Sequence, residues 1–266
     1  MFHSKLLVSR WAQFLLASCL VIGLCAVDSF GVIIFANDNA DNATYTSDEW
    51  QLTDNGGFGY LPWIESNNSG GAGFFREHFG RQIEGGNSFS IFSSAGSEAL
   101  VRPLAQPIAN GEYTVLGRHD VDNGNNFTGF NIKSTSAGAL SNGELLSFGM
   151  APSSGNNSVS VFGLTTQTIN LGHELRGNIL SYDLKFDTIA QTFSLSVTDL
   201  SNPATGSVSG LLKFPSSQMA ALGFGNFNSG GGQNFVFDIP TVLPEPTSIG
   251  LLAGAMLMTL NRRRRA

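Results

Sequence analysis

In Thr192-Phe193-Ser194-Leu195-Ser196-Val197-Thr198, polar and apolar side chains alternate without a break. Successive side chains of an extended strand point to opposite faces, so the three apolar residues of this stretch share one face. The stretch therefore predicts a β-strand that buries one face and shows the other to water. The preceding Ser181 to Phe186 repeats the alternation and predicts a neighbouring strand.

The chain on both sides of this pair follows the same plan. From Asn37 onward, short apolar or alternating runs are each cut by Gly, Asn, Ser or Pro. Many short strands joined by turn residues, with no sustained helical period, are typical of an all-β fold built as a two-sheet antiparallel β-sandwich. With the opening pair at 179–186 and 192–198, we predict strands at 89–93, 99–104, 112–118, 127–133, 144–150, 159–164, 207–214, 221–227 and 234–239.

Composition excludes several classes of protein. Charged residues make up only 13% of the chain, whereas Phe alone contributes 21 residues, so a packed core is expected and a disordered chain is not. Both cysteines, Cys19 and Cys25, lie near the start, which leaves the body without a disulfide or a cysteine metal site. Residues 37–243 carry eight Lys and Arg against 18 Asp and Glu, a net charge of −10. That charge argues against nucleic acid as a partner.

The order of the predicted strands resembles a concanavalin A-like jelly roll, the fold of legume lectins and laminin G-like modules. The likeness is carried by the consecutive strands 179–186 and 192–198 and by the last strand, 234–239, which runs straight into the C-terminal segment. The resemblance covers about residues 45–240, and we predict one sandwich domain over residues 37–243. A pair of smaller immunoglobulin-like domains is the alternative, although no Pro-rich linker divides the middle of the chain.

The N-terminal segment has the features of a secretory signal. Lys5 and Arg10 precede an apolar run over residues 11–27 that continues through 30–35. We predict a signal helix within a signal peptide of residues 1–36, cleaved after Ala36, with Ala26 as the earlier option. A retained membrane anchor is the competing interpretation, because the combined stretch approaches the ~20 residues that span a bilayer. Lipoprotein processing at Cys19 is a third.

The C-terminal segment, residues 244–266, has three parts. They are Pro244, Glu245 and Pro246, then an apolar run over 249–260, then Arg262, Arg263, Arg264 and Arg265. This order resembles the PEP-CTERM sorting signal. The apolar run is long enough to enter a bilayer, and the arginines hold the terminus on the cytoplasmic side. A retained transmembrane helix is the alternative.

The resemblance of the tail implies export across the inner membrane, a transient inner-membrane anchor formed by a hydrophobic sorting helix, and processing by an exosortase near the Pro-Glu-Pro element. Such proteins occur in bacteria that make extracellular polysaccharide, which makes that polysaccharide a candidate partner. We therefore expect a cell-surface or extracellular-matrix protein with a structural or adhesive role. A carbohydrate-binding, lectin-like module is the alternative, and a glycoside hydrolase is a third.

The sequence shows no motif of a catalytic site, and we predict no enzymatic activity. Glucanases of this fold carry closely spaced carboxylates on one strand, whereas glutamates of this chain stand alone, as at Glu112, Glu144 and Glu174. The histidines outside the signal segment lack metal-ligand spacing, and we expect each at the surface or in a turn. They are His78, His119 and His173.

One loop is a candidate calcium site. Asp120-Val121-Asp122-Asn123-Gly124-Asn125-Asn126 places two carboxylates and three amides within seven residues. Oxygen ligands of this kind suit Ca²⁺, and the candidate ligands are Asp120, Asp122, Asn123 and Asn125. Asp and Asn beside Gly are also ordinary turn residues, so a turn without a metal is the alternative.

Two tryptophans are candidate ligand-binding residues. Trp50 and Trp63 are the tryptophans outside the signal segment. An exposed indole ring can stack on the face of a sugar, with polar neighbours that orient it. Burial in the core is the alternative, because large aromatic side chains are highly buried on average.

Overall fold

The computed structural model describes residues 35–45, 50–69, 72–77, 83, 86–93, 96–120, 127–151, 156–228 and 233–243. The two predicted terminal helices lie outside these ranges. Within them the fold is all-β, and no helix long and apolar enough to cross a membrane is found.

Fourteen strands of the described chain form two seven-stranded sheets, and every strand pair is antiparallel. Sheet A has the order β1 (Ile64–Ser69), β4 (Gly96–Ile108), β13 (Met219–Asn228), β6 (Thr128–Lys133), β7 (Glu144–Met150), β8 (Ser158–Phe162), β9 (Thr166–Asn170). Sheet B has the order β12 (Ala204–Leu211), β11 (Thr192–Asp199), β10 (Ile179–Asp187), β5 (Asn110–His119), β14 (Gln233–Leu243), β3 (Ser88–Ser93), β2 (Ala72–Glu77). The predicted two-sheet antiparallel sandwich is confirmed.

The hairpin of β10 and β11 shows why the sequence folds this way. Leu184 lies opposite Leu195 and Phe186 opposite Phe193, so the apolar residues of both strands share one face. That face is buried, while the intervening residues are exposed or partly exposed. The period-two pattern thus sets which side of sheet B faces sheet A.

The core between the sheets is rich in aromatic rings. Phe224 of sheet A stacks on Phe237 of sheet B with ring centroids 4.5 Å apart. Trp63 packs against both, at 5.5 Å and 6.4 Å. Aromatic side chains bury large apolar areas, so this cluster accounts for much of the attraction between the two layers.

A buried ion pair attaches the segment ahead of β1 to sheet A. Arg102 of β4 donates through Nη2 to Asp38 Oδ2 at 2.5 Å, and both side chains are fully buried. Burial raises the pKa of Asp38, while hydrogen bonds from Tyr45 and Arg102 act in the opposite direction. The Arg102 guanidinium also lies over the Trp63 ring, 4.8 Å from its centroid. Removing one partner would leave an uncompensated buried charge, so the pair fixes the position of this segment.

All eleven predicted strands are present, with bounds that differ by a few residues. The prediction omitted three strands, β1, β2 and β9. Each of them is an edge strand of its sheet.

Candidate functional site

The loop of residues 134–143 folds over the outer face of sheet A. Lys133, at the end of β6, is fully buried beneath it, and its Nζ donates to the carbonyl oxygens of Ala139, Leu140 and Asn142. Burial lowers the pKa of Lys133 to about 8, although the neighbouring Glu144 acts in the opposite direction. The lysine thus holds the loop in place through three backbone contacts.

Leu140, which belongs to this loop, packs against small residues of sheet A. A Cβ atom at Gly223 would lie 2.4 Å from Leu140 Cδ1, and one at Gly225 would lie 3.0 Å from Leu140 Cδ2. Leu140 forms a separate apolar cluster with Ala99, Val101 and Ala221 on this outer face. The absence of larger side chains at these positions lets the loop approach the sheet closely.

A cavity of about 460 Å³, which we name cavity A, lies beside the loop. Three half-buried phenylalanines line it, Phe127, Phe162 and Phe227, and the Phe127 ring lies 5.8 Å from Phe162 and 6.4 Å from Phe227. Its polar lining residues are Ser66, Asn67, Asn131, Ser141, Glu144 and Ser147.

Polar groups at the base of cavity A form a network around Glu144. Asn131 Nδ2 donates to Glu144 Oε2 at 2.9 Å, and Ser147 Oγ donates to Glu144 Oε1 at 3.2 Å. Lys213 Nζ lies 2.9 Å from the same Oε1 and balances its charge. Among the described residues, Asn131 Oδ1 has no hydrogen-bond partner. These contacts fix the orientation of the Asn131, Glu144 and Ser147 side chains.

Cavity A therefore combines apolar rings with oriented hydrogen-bonding groups. Sites for small organic ligands have this composition, in which aromatic walls supply contact area and a few polar groups fix orientation. Glu144 accepts from Asn131, Ser147 and Lys213, and an ionised carboxylate can accept about four hydrogen bonds, so it can receive one more from a ligand hydroxyl.

A second cavity of about 580 Å³, which we name cavity B, lies on the outer face of sheet B. Thr114 of β5, Ser181 of β10 and Thr241 of β14 contribute to it. Asp41 forms part of its wall and accepts at Oδ1 from Asn87 N at 3.0 Å and from Asn87 Nδ2 at 2.5 Å. No aromatic residue is among the described residues that line cavity B.

The two tryptophans singled out in the sequence lie in the core. Trp50 is 1% exposed and Trp63 is 4% exposed, and their ring centroids are 4.7 Å apart. Neither indole has a face open to a sugar ring in this fold.

The candidate calcium loop is described only at its first residue. Asp120 is partly exposed and pairs with Arg118, whose Nε lies 3.5 Å from Oδ1. Asp122, Asn123 and Asn125 lie outside the described residues. In the part of the chain that is described, no group of three or more His, Cys, Asp or Glu could hold a metal ion.

The histidines divide between core and surface. His119 is fully buried between the sheets, where one ring nitrogen lies 2.8 Å from Thr128 Oγ1 and the other 2.7 Å from Tyr182 Oη. The expectation of a surface or turn position was wrong for His119, because two hydroxyl partners satisfy its ring nitrogens in the core. Burial lowers the pKa of His119 to about 3. His173 is partly exposed and pairs with Asp199 at 2.8 Å, and His78 lies outside the described residues.

The predicted sorting motif lies outside the described residues. The described chain ends at Leu243, and Pro244, Glu245 and Pro246 follow it. The arginines Arg262, Arg263, Arg264 and Arg265 likewise lie outside the described residues.

Sequence reasoning missed the residues of cavity A. Asn131 and Glu144, which line the cavity, and Lys133, which lies under the adjoining loop, are isolated polar residues in predicted strands, so alternation alone predicts solvent-exposed positions. The sequence contained one signal that a loop packs against this face, namely Gly223 and Gly225 at alternating positions of one predicted strand. Glycine inside a strand often marks a close approach by another part of the backbone.

No protein-family model matches the chain, and no curated protein matches it. Among solved structures, similar chains include arcelin-5, a lectin-like defense protein from Phaseolus vulgaris, with 7% identity over 69% of this chain and 92% of that chain at a TM-score of 0.44. A functionally unknown protein from Saccharomyces cerevisiae shows 11% identity over 70% and 97% of the two chains, with a TM-score of 0.48. The exoplasmic domain of VIP36, in its Ca²⁺/Man3GlcNAc-bound form, shows 8% identity over 59% and 81%, with a TM-score of 0.41. Likenesses this distant concern the fold and say nothing about a ligand.

Proposed function

We propose that this chain is an exported surface or matrix protein whose β-sandwich binds a neutral saccharide in cavity A. The observation that carries the proposal is the Glu144 network at the base of a cavity walled by three phenylalanines. Aromatic rings can cover the apolar face of a sugar while fixed polar groups bind its hydroxyls. Adhesion to extracellular polysaccharide is the role that such a site would serve.

Charge favours a neutral saccharide over an anionic one. The body carries a net charge of −10, and Glu144 is the carboxylate among the described residues that line cavity A. Lys213 offsets the charge of Glu144, but the acidic surface as a whole repels anions, so a uronic acid or a sulfated sugar would bind less well than a neutral sugar. One carboxylate supports binding, whereas hydrolysis of a glycosidic bond ordinarily uses a pair.

The test is binding of the purified protein to an array of neutral and acidic oligosaccharides, followed by calorimetry on the best neutral one. Phe162→Ala removes a wall of cavity A, and Ser147→Ala removes a hydroxyl from its base. Each change should weaken binding by roughly tenfold or more, because a central contact is often worth over 1 kcal/mol.

Thr114→Ala and Ser181→Ala, which remove hydroxyl groups from cavity B, are matched controls for Ser147→Ala. These changes should leave the affinity unchanged. A loss of binding in the controls, with full affinity in the cavity A variants, would assign the saccharide to cavity B instead. Failure to bind any neutral saccharide would refute the proposal.

The export part of the proposal rests on the two terminal segments of the sequence. We expect an exosortase to cleave near Pro244 to Pro246, so the extracellular protein should yield no peptide from residues 249–266 in mass spectrometry. A change at Glu245 should leave the protein in the inner membrane. An intact tail on secreted protein would count against exosortase processing and would leave the saccharide proposal standing.

A further inference from the structure

Residues 35–37 form a short extended segment between the two sheets. The N–H of Phe35 donates to the carbonyl of Val242 at 2.8 Å, and the N–H of Val242 donates to the carbonyl of Ala36 at 3.0 Å. On its other side, Asn37 and Phe58 exchange both backbone hydrogen bonds, at 3.0 Å and 2.9 Å. The segment is therefore paired along both edges.

This pairing continues from sheet B into sheet A. One edge of β14 pairs with β3, but only as far as Phe237. Further along the same edge of β14, Val242 pairs with Ala36 instead. Beyond Phe58, Tyr60 pairs with Leu104 of β4. Residues 35–37 and 58–60 thus join β14 to β4 and close the sandwich at this corner.

The segment is also part of the packed interior. Ala36 is fully buried, and Phe35 is half-buried against the main core. Gly59, at φ +78°, passes so close that a Cβ atom there would lie 2.4 Å from the carbonyl oxygen of Phe35. Two residues after Ala36, the carboxylate of Asp38 forms the buried ion pair with Arg102.

We infer that Phe35 and Ala36 stay on the mature protein, so that any signal cleavage falls before Phe35 rather than after Ala36. Cleavage after Ala36 would remove the hydrogen bonds that Val242, a fully buried residue, forms with Phe35 and Ala36, and would place a new ammonium group at Asn37 beside the core. An unpaired buried backbone group is costly, so the folded domain depends on these two residues.

The bond that the sequence offers instead is Ala26–Val27, since a small residue precedes the cleaved bond of a signal peptide. Its hydrolysis consumes one water, which gives its hydroxyl to the carboxyl of Ala26 and its proton to the new amine of Val27. This inference rests on the proposed export.

The deciding measurement is the N-terminus of the protein secreted by its own host, obtained by N-terminal sequencing and intact mass. A start at Val27, or at any residue up to Phe35, supports the inference. A start at Asn37 overturns it while leaving export intact. An unprocessed start at Met1 keeps both residues on the chain and so supports their retention, but it contradicts the cleaved signal of the proposed function.

A pair of variants of the full chain tests the structural premise. Ala36→Asp places a carboxylate in the core and should lower the melting temperature by roughly 5 to 10 °C. Ala43→Asp makes the same change at an exposed position a few residues later and should shift it by less than about 2 °C. Equal small shifts would show that the core does not depend on Ala36. If Ala36→Asp does not fold, the premise is supported and the N-terminal sequence still decides the cleavage site.

Discussion

The outer faces of the two sheets differ although both belong to one sandwich. In β6 and β7 of sheet A every residue is buried, whereas β10 and β11 of sheet B alternate between buried and exposed positions. The contrast is clearest in two lysines. Lys133 is fully buried and binds three loop carbonyls, while Lys185 is 65% exposed and pairs with Glu112 at 2.6 Å.

The comparison teaches that the same side chain serves different purposes on the two faces. On sheet B, outward polar residues solvate an ordinary surface, and their ion pairs contribute little to stability. On sheet A, outward polar residues are covered by a loop and must be hydrogen-bonded to one another or to the backbone. This face contains cavity A, which is why we propose that a ligand binds there.

The largest expected effect comes from replacing the buried Lys133 by methionine, with the same replacement of Lys185 as the control. Lys133→Met keeps the length of the side chain but leaves three loop carbonyls without their donor, so the free energy of unfolding should fall by about 3 kcal/mol or more. Lys185→Met should change it by less than about 1 kcal/mol. Urea denaturation of both variants and the unchanged protein measures the difference. If the free energy of unfolding falls by similar amounts in the two variants, Lys133 does not hold the loop in place.

A smaller effect concerns Glu98, a buried carboxyl on the inward side of β4. Burial, together with the charge of Glu65, raises the pKa of Glu98 to about 8, and the backbone N–H of Ala99 acts weakly in the opposite direction. The folded state therefore holds this proton more tightly than the unfolded state between about pH 4.5 and 8. Stability should fall as the pH rises through that window.

Glu98→Gln should remove this part of the pH dependence. At pH 9 the variant should be more stable than the unchanged protein, and the free energies of unfolding of the two proteins should converge near pH 4. Glu112→Gln, on the exposed side of sheet B, controls for the loss of one acidic charge. Unfolding titrations at several pH values provide the test, and parallel curves for Glu98→Gln and the unchanged protein would contradict it.

The smallest effect is expected at the loop that follows β5 in sheet B. If residues 120–126 hold calcium, the ion should stabilise the folded state by about 1.4 kcal/mol at ten times its dissociation constant. Thermal melts in millimolar calcium and in chelator should then differ by a few degrees, and changing Asp120 and Asp122 to Asn should abolish the gap. Asp183→Asn, on the outer face of β10, is the control. If the melting curves of the unchanged protein in calcium and in chelator coincide, the loop is a turn that holds no calcium.

The sequence by itself determined the class of fold and most of its strands. Alternation in β10 and β11 predicted both the strands and the face that each one buries, because a central strand of sheet B has one face in the core and one in water. The strands that were missed, β1, β2 and β9, lie at sheet edges. An edge strand pairs on one side only, so a strict apolar pattern is less necessary there, as the sequence Thr166–Asn170 of β9 illustrates.

Only the tertiary structure decided which polar residues are buried and that Ala36 is packed in the core. Lys133 and Glu144 lie far from Lys213 in the sequence, and their burial depends on a loop that packs against glycines contributed by β13. Ala36 looks like the small residue of a cleavage site, yet its partner is Val242, at the opposite end of the chain. Period and composition report the local preference of a strand, whereas burial of an isolated polar or small residue depends on contacts between segments that are distant in sequence.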